Sequence, residues 1–142
     1  MITNTIVLDI NAPPEEVWGF FSDVERWPQW MESVSSVSRQ NSRATVGYKS
    51  GETMKIELTT GSPDEGFQYV ARSKTMEVRA NMSFGIEEDG TRLEYREELE
   101  SKSLLMRFLQ PFIKGSIRRG LEADFERAKR LIEVHPGFGA AP

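Results

Sequence analysis

Cysteine is absent from the 142 residues, which removes disulfides, thiolate nucleophiles and cysteine zinc sites together and fits a reducing compartment. Histidine is almost absent. The single copy, His135, falls after the last helical pattern and before Pro136-Gly137-Phe138-Gly139, a stretch with the composition of a flexible tail, so neither a serine triad nor a histidine metal site has a partner in the body of the chain. No apolar run is long enough to span a bilayer, and residues 1–5 lack the basic and apolar regions of a secretory signal. The expectation is a cytoplasmic protein with no integral membrane association. Basic charge is scarce overall, with 18 Lys and Arg against 22 Asp and Glu and a net charge of -4, which argues against nucleic acid as a partner because counterion displacement needs a basic surface. Neither a glycine-rich phosphate loop nor an acid cluster of calcium-loop or two-metal spacing occurs, so no cofactor and no metal are expected.

What remains is a chain of one ordinary domain, long enough to bury roughly two-thirds of its unfolded surface without a covalent staple. Residues 8–34 carry its most specific pattern. The end of an alternating strand runs through Pro13, Pro14, Glu15 and Glu16 into apolar residues at 17, 20, 21 and 24, the spacing of one buried helical face. Proline in a first helical turn lacks only an N–H that would be orphaned anyway, and the two acids suit the positive end of the helix dipole. Pro28 then interrupts the pattern and biases Trp27 away from helical angles, which predicts two short helices rather than one.

These residues resemble the START-like, or SRPBCC, superfamily, the polyketide cyclase/dehydrase and lipid-transport group. Its members commonly open with a strand, an "aP-x-E-x-V-W-x-x-x-x-D" helix and an "x-W-P-x-W" turn. The matching positions are Ala12, Pro13, Glu15, Val17, Trp18 and Asp23, then 26–30. A strand start at Val46-Gly47-Tyr48, a run of hairpins and a long C-terminal helix complete the order, so the resemblance covers residues 1–134 as one domain and leaves 135–142 as the tail. It implies an α+β helix-grip fold, in which a curved antiparallel sheet of six or seven strands wraps around the last helix and encloses an apolar cavity. The group's functions are diverse, from binders and lipid carriers to cyclases and chaperone cofactors, and it supplies no fixed catalytic set.

Alternation defines the strands behind that cavity. Met54, Ile56, Leu58 and Thr60 share one face, and Met76, Val78, Ala80, Met82, Phe84 and Ile86 form an unbroken stripe that reads as the inner wall. Between them, residues 67–72 leave the inner face open, because Val70 opposes Phe67, Tyr69 and Ala71. After an Asp89-Gly90 turn, Leu93, Tyr95, Glu97 and Leu99 share a face, which carries a carboxylate inward between apolar neighbours. An inward Glu97 is a polar anchor or general acid/base with Tyr95 beside it as a carbonyl-binding hydroxyl; alternatively it is structural, reaching water or a basic side chain, with Tyr95 in the core.

In the C-terminal third, Leu105, Phe108, Leu109 and Phe112 share one stripe and Ile113, Ile117, Leu121, Phe125, Ala128 and Ile132 another, with the change at Gln110-Pro111. This predicts a short helical piece over 103–109 followed by a long helix to 134, with Phe108 and Phe112 as candidates for a wall or gate of the cavity or, alternatively, as plain core packing. Charge is uneven as well: residues 87–100 hold seven acids against two arginines, and 104–134 hold seven basic residues against four acids.

The leading expectation is a carrier or sensor of a small, largely apolar molecule, whether lipid, aromatic or polyketide-like. Met54, Met76, Met82 and Met106 would give its site an adaptable wall, Trp27 and Trp30 would stack on a planar ligand, and Ile56, Leu58, Tyr69, Val78, Ala80 and Phe84 would line it. The alternative is a cyclase or dehydratase in which Glu97 moves a proton and Tyr95 polarises a carbonyl. A protein-interaction module is the third reading, and oligomeric state stays open.

Overall fold

The computed structural model describes residues 1–134 and starts with β1 (Ile2–Ile10), α1 (Pro14–Ser22), a single 3-10 turn (Val24–Arg26) and α2 (Trp27–Trp30). Six strands follow: β2 (Val34–Gln40), β3 (Arg43–Tyr48), β4 (Thr53–Ser62), β5 (Gly66–Arg72), β6 (Met76–Glu87) and β7 (Gly90–Ser101), and then α3 (Leu104–Val134). The strands make one curved antiparallel sheet in the order β1-β7-β6-β5-β4-β3-β2, the helix-grip arrangement. His135 and the expected tail lie outside the described residues.

The entry into α1 follows from its prolines. Pro14 occupies the first turn, and the carbonyl of Pro13 accepts the N–H groups of Glu16 and Val17 at 3.0 and 3.1 Å. Val17, Phe20 and Phe21 are fully buried against the sheet. At α2 the expected restriction on Trp27 gives way: its φ of -50° and ψ of -39° are helical. Pro28 falls in the first turn of this four-residue helix, where its missing donor costs nothing, and burial of both Trp27 and Trp30 outweighs the local bias.

The inner face of β5 is that of Phe67, Tyr69 and Ala71, all buried, with Val70 on the other side. Gly66 opens the strand at φ +86°, and a Cβ there would collide with the Met82 carbonyl, so the β4–β5 turn is bound to glycine at this point. Along β6, Ala80, Met82 and Phe84 are buried and Met76 and Val78 half-buried, but Ile86 is 83% exposed. The alternation continues through Ile86, yet the strand has by then run past the helices that cover the sheet.

One continuous α3 replaces the two helical pieces expected around Pro111, which sits inside it. The phase shift in the sequence is real but has another origin. Leu104, Leu105, Phe108 and Phe112 point outward, whereas Met106, Leu109, Ile113, Ile117 and Leu121 form a half-buried inner stripe of the same helix. Full burial begins at Phe125 and continues with Ala128 and Ile132. Phe125 packs among aromatic rings, with centroids 5.6 Å from Phe21, 5.2 Å from Trp30 and 4.8 Å from Tyr95. Arg127 donates to the Trp30 carbonyl at 2.7 Å, and Asp124 accepts the Glu32 N–H at 3.2 Å. The C-terminal half of α3 is thereby fixed to α2.

Candidate functional site

A pocket of about 300 Å³ opens under one end of the sheet. Four neighbouring strands contribute to it in turn: Met54 from β4, Tyr69 and Ala71 from β5, Met76 and Val78 from β6, Glu97 and Leu99 from β7. Trp27 and Met31 close it from the α2 side, and Ser33, Tyr48, Lys49, Ser50 and Glu52 form the rim around the β3–β4 turn. A larger hollow of about 600 Å³ lies elsewhere, but Arg43, Lys55, Glu57 and Arg72 among its walls are exposed charged residues, which suits an open groove better than a ligand site.

Glu97 is the polar centre of the pocket wall and is 6% exposed. The register places it beside Asn4 of β1 on one side and Ala80 of β6 on the other. Asn4 Nδ2 donates to Glu97 Oε2 at 3.2 Å, and the Tyr95 hydroxyl donates to Oε1 at 2.6 Å. The Tyr69 hydroxyl lies 3.0 Å from that of Tyr95, so with Tyr95 donating to the carboxylate, Tyr69 donates in turn to Tyr95. Burial pushes the Glu97 carboxyl up from its ordinary range, and the hydrogen bonds from Tyr95 and Asn4 pull it back only in part. The same burial, reinforced by the charge of Glu97, holds Tyr69 and Tyr48 in their protonated forms, and Tyr95 is raised in the same sense.

The arrangement is a proton-bearing relay with one end, Tyr69, and its carboxyl terminus, Glu97, both on the pocket wall. Removing the Asn4 donor should raise the Glu97 carboxyl further. In Asn4→Ala, a carbon-13 titration of Glu97 is expected to move to higher pH, with a stability loss of ~1 to 3 kcal/mol once the carboxyl ionises. An unchanged titration would show that Asn4 does not hold this carboxylate.

Of the residues expected at the site, Trp27, Met54, Tyr69, Met76, Val78 and Glu97 meet at this pocket. Trp30, Leu58, Ala80, Met82 and Phe84 lie in the core, and Ile56, also buried, borders the charged hollow. Tyr95 is buried beneath the pocket wall, with its hydroxyl enclosed between Tyr69 and Glu97, and does not itself line the pocket. Phe108 and Phe112 are 75% and 78% exposed and form no part of the wall, because they occupy the outer stripe of α3. Met31, Ser33, Tyr48, Lys49, Ser50, Glu52, Ala71 and Leu99 line the pocket without having been expected there. Asn4 was legible in principle, as a polar residue on the inward face of β1 between Ile2 and Ile6.

A family model described as polyketide cyclase/dehydrase and lipid transport matches residues 1–133. The chain belongs to this family. Its likeness to solved structures is one of fold. A START superfamily protein from Mycobacterium smegmatis superimposes with a TM-score of 0.77 at 16% identity, over 94% of this chain and 99% of that one. The di-domain ARO/CYC protein StfQ from the steffimycin biosynthetic pathway gives 0.72 at 12% identity, over 91% of this chain and 49% of its own. BexL, the di-domain ARO/CYC protein of the BE-7585A pathway, gives 0.71 at 20%, over 94% of this chain and 50% of its own. No curated protein matches the chain. Among the described residues of this family member, no helix is long and apolar enough to cross a membrane and no cluster of potential metal ligands is found.

Proposed function

We propose that residues 1–134 form one binding domain that takes a small, largely apolar molecule into the pocket under β4–β7 and holds a polar group of that molecule against Glu97. The observation that carries this reading is the pocket itself: a wall of Met31, Met54, Ala71, Met76, Val78 and Leu99, interrupted by a buried carboxyl in a satisfied hydrogen-bond network. Trp27 supports it. Its ring closes the pocket from the α2 side and packs 5.0 Å from the ring of Tyr69, which gives the site a rigid aromatic wall. The methionines let the wall adapt to more than one ligand shape. The cysteine-free composition suits a carrier or sensor working in the cytoplasm.

Ala71 provides the test. It is 3% exposed and lines the pocket, so Ala71→Leu fills ligand space without introducing charge. An apolar fluorescent probe is expected to bind wild type in the micromolar range and the variant at least ~10-fold more weakly, the effect of occupying a few methylenes' worth of apolar contact. Failure of a broad probe and lipid screen with folded wild type, or equal binding by Ala71→Leu, would remove the carrier reading.

A second reading rests on the relay. A carboxyl with a raised pKa, exposed to ligand and hydrogen-bonded in series to two protonated tyrosines, is equipped for general acid/base work on a carbonyl substrate of the cyclase or dehydratase kind. In that case Glu97 moves the proton, and Tyr95, buried behind it, acts as a positioning residue.

A further inference from the structure

The outer face of α3 has no role in the pocket. Before Leu121 not one residue of this helix is buried, and its outward stripe is bulky: Leu104, Leu105, Phe108 and Phe112 are between 67% and 81% exposed. Single exposed apolar residues are ordinary on a protein surface, but four on adjacent turns of one face make a contiguous patch that marks an interaction site. Charge on the same segment is one-sided. Residues 101–121 contain Lys102, Arg107, Lys114, Arg118 and Arg119 and no acid, in a chain of net charge -4. Arg118 pairs with Glu122 at 2.8 Å, and among the described residues none of the other four forms an ion pair with an acid.

At 3.6 residues per turn, Leu104, Phe108 and Phe112 fall along one line with Leu105 beside it, and Arg119 continues that line two turns on. Arg107, Lys114 and Arg118 run along one flank, and the whole face extends about 22 Å. We propose that the N-terminal half of α3 docks on the surface of a bilayer containing anionic lipid. Its apolar stripe enters the headgroup boundary and its basic flank meets the lipid phosphates. A second copy of the chain fits this face poorly. A two-fold contact through the phenylalanines would bring two basic flanks together in which, among the described residues, only Arg118 has an acidic partner, leaving most of their repulsion unrelieved.

The middle of α3 also borders the pocket's mouth. Ser33 and Lys49 of the pocket rim belong as well to a groove whose far side is Ser116, Ile117, Gly120 and Leu121. The inference itself does not depend on what the pocket binds.

The test is co-sedimentation of the full chain with vesicles of phosphatidylcholine alone and of phosphatidylcholine with about one-third phosphatidylglycerol. Wild type is expected to sediment with the anionic vesicles at low salt, and less as salt rises. Phe108→Asp with Phe112→Asp should abolish this. Lys114→Glu with Arg119→Glu should weaken it by ~30-fold or more, at about fivefold for each basic residue near an anionic surface. All four positions are exposed, so circular dichroism should show both variants folded; if the phenylalanine pair does not fold, the charge pair decides. Absence of sedimentation, equal sedimentation with both vesicle types, or an unaffected charge-pair variant would overturn the proposal. So would a concentration-dependent dimer that the phenylalanine changes dissolve while vesicles are ignored, which would assign the face to a second copy.

Discussion

Phe125→Ala is expected to lower the unfolding free energy by ~3 to 5 kcal/mol, close to half of what a domain of this size ordinarily has. The side chain is 1% exposed and is held among Phe21, Trp30 and Tyr95, so truncation leaves a cavity that three rigid rings cannot collapse to fill. In the same urea titration, Phe112→Ala should stay within about 0.5 kcal/mol of wild type, because that ring is 78% exposed and little packing is lost with it. The contrast measures where α3 is anchored. Comparable losses from the two changes would show that the first half of the helix is packed as tightly as the second. The consequence for function is that Phe125 also backs Tyr95, so the hydrogen-bond relay should loosen along with the core.

Glu97→Gln is the second large effect, with distinct outcomes under the two readings of the pocket. If the carboxyl moves a proton, turnover of a carbonyl substrate should fall by ~100-fold or more while affinity changes only a few-fold, since the amide keeps the shape but cannot take up the proton. If it only anchors a ligand, the change should weaken binding of polar-headed ligands by ~1 to 3 kcal/mol with no chemistry to lose. Stability supplies a readout that needs no ligand. Burial raises the folded-state pKa of Glu97 above its value in the unfolded chain, so the folded protein binds the extra proton. Its contribution is therefore complete below the ordinary glutamate range and is lost as pH rises through the folded pKa. Glu97→Gln should flatten this decline and leave the protein relatively more stable at neutral pH. A pH profile of unfolding identical to wild type would mean that Glu97 ionises as freely in the folded state as in the unfolded chain.

Several parts of this architecture were legible without coordinates. The turn from Pro13 into α1 could be read because proline geometry and the 3.6-residue spacing of Val17, Phe20 and Phe21 are local properties. Glu97 could be read as inward because Tyr95 and Leu99 lie two residues to either side, and strand side chains alternate whatever the strand pairs with. The same logic stopped short at Ile86, where the alternation persists and the core does not. It also stopped at Asn4, whose partner lies 93 residues away on β7, so that its pairing with Glu97 exists only once β1 and β7 are in register.

By itself the sequence determined the strand order, the opening strand and its two short helices, the inner faces of β4, β6 and β7 over most of their length, and the family, since each depends on spacing along the chain, whereas the continuity of α3 through Pro111 and the burial of the Glu97 carboxylate did not follow from it. Only the tertiary structure decided which residues meet at the pocket, that Tyr95 supports Glu97 from behind rather than lining the pocket, and that Phe108 and Phe112 point away from the sheet. A helix with apolar residues on two faces does not state which one is buried. The choice is made by where the curved sheet ends and by the anchoring of α3 through Phe125, Ala128 and Ile132, far along the chain from the residues whose exposure it sets.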